Sequence, residues 1–229
     1  MSAYVRYRDR REAGRVLAAE LRGKDLGDAP VLLALPRGGV PVAAEISQRL
    51  HLPLEVFIVR KLGAPGHPEF AMGAIASGGV ELLDEPLIQQ QNISRAEVAA
   101  VIAREQAELR RREALYGSSS GLELGTRAAV LVDDGLATGF TLRATVTALR
   151  RKHCPRISVA VPVGARASCL QLEQTVYQVV CPMQPDNFMA VGVWYDNFLP
   201  TDDDEVLACL ARTRRANQQR VAGEREMRR

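Results

Sequence analysis

No apolar run in the 229 residues approaches the ~18–20 that a membrane-spanning helix needs, which argues against a membrane protein. Histidine and cysteine are scarce, at three and four residues. The cysteines, at positions 154, 169, 181 and 209, are spaced for neither a zinc knuckle nor a Cys-x-x-Cys redox pair. Four free thiols in a reducing compartment are expected, and no structural zinc. The N-terminal stretch carries Arg6, Arg8, Arg10 and Arg11 and lacks the apolar core of a secretory signal, so the expected location is the cytoplasm. Lysine occurs only at positions 24, 61 and 152, a skew toward arginine that carries no functional reading. Internal repeats are absent, and low complexity is confined to the Gly-Ser-Ser-Ser-Gly stretch at 117–121.

What remains is an ordinary globular composition, 47% hydrophobic and 25% charged, long enough for one sizeable core. The net charge of +3 invites a nucleic-acid reading, so its location matters. From Ala211 onward seven arginines face two glutamates, so the tail is +5 and the remaining body −2. An acidic body with a basic end is a poor electrostatic footprint for nucleic acid, which argues against such a partner on composition. Residues 1–210 read as one domain and 211–229 as a basic tail, a frayed helix or disordered.

Periodicity organises the body. Helices are predicted over Asp9–Leu21, Pro41–Leu50, Ser94–Tyr116, Thr141–Lys152 and Ala165–Glu173. Ser94 and Glu97 are spaced as a capping box. Short apolar runs at Val31–Leu35, Leu54–Val59, Ala128–Val132, Ile157–Val161 and Thr175–Val180 predict buried strands. Gly73–Ser77 and Val80–Leu83 form a predicted hairpin after a Gly/Pro-rich loop at 63–68. Apolar strands alternating with helices indicate an α/β fold with a doubly wound, mainly parallel five-stranded sheet. Ligands of such sheets bind beyond the carboxyl ends of the strands. Three candidate loops sit there: 36–39, 60–69 and 133–141.

The third is the most informative. In Ala129–Thr141 (AVLVDDGLATGFT) a buried strand delivers two carboxylates, Asp133 and Asp134, then a Gly-bearing turn, then Thr138 and Thr141 before a helix. Backbone N–H groups of Gly135, Leu136, Ala137, Thr138, Gly139, Phe140 and Thr141 can wrap a phosphate at the positive end of that helix. Carboxylates would repel a bare phosphate, but they suit a ligand that also offers hydroxyls, a magnesium ion or a centre that becomes cationic. A sugar phosphate offers all three. The segment is neither a Walker loop nor a dinucleotide loop.

This segment resembles the phosphoribosyl-pyrophosphate (PRPP) signature of type I phosphoribosyltransferases. The resemblance implies PRPP and Mg2+ as ligands, with Asp133 and Asp134 engaging the ribose hydroxyls and the metal, and residues 135–141 holding the 5′-phosphate. Leu35-Pro36-Arg37-Gly38-Gly39 resembles the family's pyrophosphate loop, with Arg37, Gly38 and Gly39 as its binding groups. Arg60 and Lys61, read as ending the second core strand, resemble the basic pair of orotate- and adenine-type members. Phe188–Phe198 resembles the acceptor-binding stretch, with Trp194 or Tyr195 stacking on the base and Asp196 accepting a hydrogen bond. The family fold implies a core of about 30–183 and a small lid built from about 8–25 and 184–210. The segments DRREAG, LPRGG, VRKLGAPGHPEFAMGAI and VGVWYDNF together resemble a bacterial group of predicted phosphoribosyltransferases with no assigned acceptor.

Departures from the family pattern limit the substrate reading. Hypoxanthine/guanine enzymes carry an acidic residue where Ala137 stands and a lysine on the following strand, where Ile157–Gly164 has none. Glu69 is then the candidate general base, ahead of His67. The charged helix at 94–116 reads as an exposed salt-bridged face, and as part of a homodimer contact by analogy with related proteins. The expected activity is transfer of ribose 5-phosphate from PRPP to a nitrogen of a heterocyclic acceptor. The rival is a PRPP- or nucleotide-sensing regulator on the same fold, reaching nucleic acid through its tail.

Overall fold

The computed structural model describes residues 6–117 and 126–227, with the side chains of 68–69 and 220–227 outside the description. In chain order come α1 (Arg10–Leu21), β1 (Val31–Ala34), α2 (Gly39–Leu50), β2 (Leu54–Val56), β3 (Val59–Ala64), β4 (His67–Ala76) and β5 (Val80–Leu83). There follow α3 (Glu85–Gln90), α4 (Arg95–Tyr116), β6 (Ala129–Val132), α5 (Phe140–Arg151), β7 (Ile157–Ala160), α6 (Arg166–Glu173), β8 (Gln178–Val180) and α7 (Asp203–Met227).

The main sheet has five strands in the order β2-β1-β6-β7-β8, every neighbour parallel. Successive side chains of a strand point to opposite faces, and both faces are filled. Leu32 and Ala34 of β1, with Val130 and Val132 of β6, pack with α1, α2 and the apolar positions of α4 and α7. Val31, Leu33, Ala129 and Leu131 pack on the other face against Leu142, Val146 and Leu149 of α5 and Leu172 of α6. All eight residues of β1 and β6 are buried, which explains why these strands read as unbroken apolar runs. The chain leaves β1 for β2 on one side and arrives at β6 on the other. Strand order therefore reverses between β1 and β6, and their carboxyl ends open a crevice there.

One sequence expectation is corrected by the second sheet. The apolar run at 54–59 is not one strand: β2 ends at Val56, and Val59 opens β3 of a separate antiparallel sheet, β3-β4-β5. The stretch read as a Gly/Pro-rich loop is mostly strand. Pro65-Gly66, with Gly66 at φ 76°, makes a tight turn that pairs Ala64 with His67. Arg60 and Lys61 thus lie inside an antiparallel hairpin arm and do not end a core strand.

The terminal segments build a third, small layer. Tyr7 and Tyr195 form a parallel bridge, with the Tyr7 N–H donating to Trp194 O at 2.9 Å and the Asp196 N–H to Tyr7 O at 2.8 Å. Tyr7, Ala13, Val163, Trp194 and Tyr195 share one apolar cluster. The Tyr7 hydroxyl donates to Pro162 O at 2.9 Å, which ties this layer to the chain beyond β7. The basic tail continues α7 to Met227, whose earlier residues Val206, Cys209 and Leu210 belong to the main core. Among the described residues no helix is long and apolar enough to cross a membrane.

Candidate active site at the switch point

Two loops meet where the strand order reverses. Beyond β1, the Leu35 N–H donates to Val132 O at 2.9 Å and the Gly39 N–H to Leu35 O at 3.0 Å. The loop presses so closely on β6 that a Cβ at Gly39 would stand 2.5 Å from Val132 O, and one at Gly38 would stand 2.0 Å from Asp134 Oδ2. The backbone of Gly38 is ordinary, at φ −61°, so proximity and not conformation requires glycine there. Arg37 lies on the exposed side of this turn, with Nη1 3.7 Å from Asp203 Oδ1 at the start of α7. That long, solvent-facing contact is weak, and Arg37 is free to exchange it for a stronger anion.

Beyond β6, the Asp134 N–H donates to Asp133 Oδ1 at 2.9 Å, which fixes the first carboxylate. Burial pushes Asp133 well above the usual carboxylate range, and the neighbouring Asp134 charge pushes it further. Burial also raises Asp134, although Arg10 opposes the shift. Arg10 Nε donates to Asp134 Oδ2 at 2.8 Å, Arg10 Nη1 donates to Leu199 O at 2.8 Å, and the guanidinium lies 3.9 Å from the Phe198 ring centroid. The pair is largely buried, with side chains 12% and 17% exposed.

The rest of the loop is tied from behind by its carbonyls. Leu136 O accepts from the Ala165 N–H at 2.8 Å, Ala137 O from the Ser168 hydroxyl at 2.5 Å and Thr138 O from Arg143 Nη1 at 2.7 Å. Gly139, at φ 73°, caps α5 with no side-chain hydrogen bond. The first-turn N–H groups of a helix lack intrahelical partners, so they face the hollow in front of them. That hollow, about 170 Å³, is lined by Asp133, residues 135–142 and Val191. A larger hollow of about 490 Å³ lies beyond Phe140, between α5 and the β4–β5 sheet. It contains neither aspartate, so chemistry rather than volume assigns the site.

The chain matches the model of the phosphoribosyl transferase domain over residues 4–197. It belongs to that family. A Mycobacterium tuberculosis protein named "Putative phosphoribosyl transferase", found in two strains, is 42% identical over 211 residues. The match takes in 90% of this chain and 47% of that protein, so the chain spans about half the length of these curated relatives. The crystal structure of the protein TT1426 from Thermus thermophilus is 38% identical, with a TM-score of 0.74 over 90% of this chain and 97% of that one.

Within this phosphoribosyl transferase domain the predicted site residues divide. Asp133, Asp134, Gly38, Gly39 and residues 135–141 gather at the crevice, with Arg37 on the exposed side of its turn facing Asp203. Leu136 shapes the loop and does not offer an anion its N–H, which donates to Val163 O at 2.9 Å. Arg60 is drawn elsewhere: its Nε and Nη2 donate to Glu105 Oε2 of α4 at 3.0 and 2.6 Å. Glu105 is therefore a buried anchor of the arm and not part of an exposed charged face. Lys61 is exposed on the same strand. The Glu69 side chain lies outside the described residues. Trp194 and Tyr195, 4% and 3% exposed, form the core of the terminal layer and present no open face for stacking. The Tyr195 hydroxyl instead donates to Asp134 O at 2.6 Å, supporting the acidic loop from behind. Asp196 is exposed beside them. Val191, not an aromatic ring, lies against Gly135 and walls the hollow. Sequence reasoning missed Arg10 as a partner of the site. Arg10 stands in the DRREAG segment, and its partner Asp134 lies 124 residues away, a pairing that spacing does not mark.

Proposed function

We propose that the chain is a phosphoribosyltransferase that uses PRPP and Mg2+ to move ribose 5-phosphate onto a nitrogen of a heterocyclic acceptor, with release of pyrophosphate. The observation that carries this reading is the juxtaposition at the switch point. A buried carboxylate pair stands beside an outward-facing N–H cradle, and the Arg37-Gly38-Gly39 turn abuts the second carboxylate. An anion in the cradle, hydroxyls on the carboxylates and a second anion on the arginine turn together describe a phosphorylated sugar with a phosphate leaving group.

Asp133 and Asp134 fit a hard divalent cation. Both are oxygen donors; burial raises both in the free protein and the Asp134 charge raises Asp133 further, a cost that positive charge relieves. When bound with PRPP, the metal supplies charge to the departing pyrophosphate. The chain's own groups do the rest. The N–H groups of 137–141, with the Thr138 and Thr141 hydroxyls, hold the 5′-phosphate. The carboxylates accept from the ribose hydroxyls and favour the positive charge that develops as the carbon–pyrophosphate bond breaks. Arg37 and the Gly38 N–H stabilise the leaving group, with Lys61 of the arm as a second cation, while the Gly39 N–H is held by Leu35 O. Attack from the opposite face gives the inverted, β-configured product.

The acceptor faces the segment around the 3-10 turn Val191–Trp194, where Val191 and the half-exposed Val193 offer apolar contact and Asp196 an acceptor oxygen. Glu69 on the arm remains the candidate base. A homodimer and a cytoplasmic location belong to the same proposal. A pyrophosphate-release screen with PRPP and Mg2+ across purines, pyrimidines and other nitrogen heterocycles tests the reading. Release with one acceptor class supports it. Binding of PRPP without release for any acceptor supports the sensing alternative.

A further inference from the structure

The four cysteines gave no pattern in the sequence, yet the fold brings two of them together. Cys169 sits in the second half of the first turn of α6, and Cys181 follows the last residue of β8. A single point, where a Cβ on Gly164 would be, lies 2.9 Å from Cys169 Sγ and 3.2 Å from Cys181 Sγ. The two sulfurs thus flank one point, and the Cys181 thiol donates to Met183 O at 3.3 Å. Cys169 is wholly buried, while Cys181 is partly exposed, so the pair has one door to solvent. The other two cysteines are engaged apart: Cys154 Sγ donates to Arg127 O and Arg156 O at 3.4 Å, and Cys209 packs from α7 into the main core.

The position of the pair gives it a consequence. The same point above Gly164 lies 3.1 Å from Leu136 Cβ, so the thiols lie directly under the anion-binding loop. Leu136 is stitched to this floor through Val163 and Ala165, and Ser168, the residue before Cys169, holds Ala137 O at 2.5 Å. We propose that Cys169 and Cys181 are a redox modification site, a dithiol that peroxide converts to a disulfide and that thereby loosens the loop resting on it.

The step balances. Two S–H bonds break and one S–S bond forms; the thiols give up two protons and two electrons, and hydrogen peroxide takes them up to become two waters. Oxidation begins at Cys181, where solvent reaches, as a sulfenic acid with loss of one water. The Cys169 sulfur then displaces the second water as it closes the bond. Cys169 is placed for that attack, because its sulfur and that of Cys181 flank one point above Gly164. Closing the sulfurs to about 2.05 Å draws the first turn of α6 toward β8. Ser168 moves with that turn, and Ala137 O loses its donor.

The test treats the intact chain with hydrogen peroxide and maps the products by mass spectrometry. A Cys169–Cys181 cross-link, absent in Cys181→Ser and reversed by dithiothreitol, is expected, with Cys154 and Cys209 still alkylatable. No cross-link, or one involving Cys154 or Cys209 instead, would overturn the site. Hydrogen exchange then reads the loop without any assumption about substrate: faster exchange at 136–138 after oxidation is expected, and unchanged exchange overturns the coupling. The last arm rests on the proposed function, since PRPP affinity is expected to fall at least about fivefold on oxidation, the low end of ordinary coupling between sites. Unchanged affinity with altered exchange would overturn the assignment of PRPP to this loop, while the dithiol would stand.

Discussion

Asp133 is built into a setting that opposes its own charge. Its carboxyl is raised by burial and by Asp134, and a carboxylate raised in the folded state contributes stability that is lost as pH rises through its folded value. At neutral pH the free protein therefore carries a cost that a neutral isostere removes. Asp133→Asn is expected to raise Tm by about 2–4 °C, the equivalent of about 1 kcal/mol in a chain of this size. The same change is expected to weaken Mg2+-dependent PRPP binding more than tenfold. Scanning calorimetry with and without ligand checks both halves, and a lowered Tm for the free protein would refute the electrostatic argument. Gly38→Ala is expected to separate the two loops, because its methyl would displace the Asp134 carboxylate that Arg10 holds. PRPP affinity should fall while the helix content, read by circular dichroism, is retained. At this scale the sequence disclosed groups whose partners are close in the chain, Asp133 and Asp134 with their loop. It did not disclose Arg10, since a pairing across 124 positions leaves no mark in spacing. Nor did it decide between a stacking and a packing role for Trp194, because both need the same large apolar ring.

Among the elements, α4 most clearly separates local from tertiary information. Its N-terminus was legible: the Ser94 hydroxyl accepts from the Glu97 N–H, and Glu97 reaches back to the Ser94 N–H at 2.9 Å. Its inner face was not legible, because Glu105 looks like every other charge on the helix and only the arm's Arg60 makes it a buried anchor. Glu105→Ala is expected to cost about 2 kcal/mol in urea unfolding, since it strands a partly buried guanidinium. On the same helix, Arg111 and Arg112 lower Glu108 to about 2. A depressed carboxylate contributes stability above its unfolded value, lost as pH falls through its folded one. Glu108→Gln should therefore narrow its stability gap to the parent as pH drops from about 4.5 toward 2. The contribution is small, because the pair is solvent-exposed. The hairpin arm was misread because its glycines and prolines suggest a loop, whereas Pro65-Gly66 alone makes the turn and its flanks are strands.

For the molecule as a whole, the doubly wound sheet was legible because both its faces are buried, so its central strands β1 and β6 are apolar throughout and cannot be mistaken for surface. Three tyrosines seal the outer layers in their neutral form. Burial pushes Tyr7 and Tyr116 up to about 12 and Tyr195 further. Groups raised in this way stabilise the fold fully below the unfolded tyrosine value of about 10, and that stability is lost as pH climbs through the folded values. Unfolding by urea should become easier between about pH 10 and 12, in step with near-ultraviolet tyrosine ionisation. Tyr7→Phe, which keeps the ring and removes the titrating group, should shallow that dependence.

In the proposed function the acidic pair and the N–H cradle form one binding site for a magnesium-bound phosphorylated sugar. Titration calorimetry of PRPP with Mg2+ into the parent protein and into Asp133→Asn/Asp134→Asn tests it most directly. Saturable binding by the parent, lost or greatly weakened in the double variant while its fold is retained, is the predicted result. Equal PRPP affinity in the two proteins would contradict it.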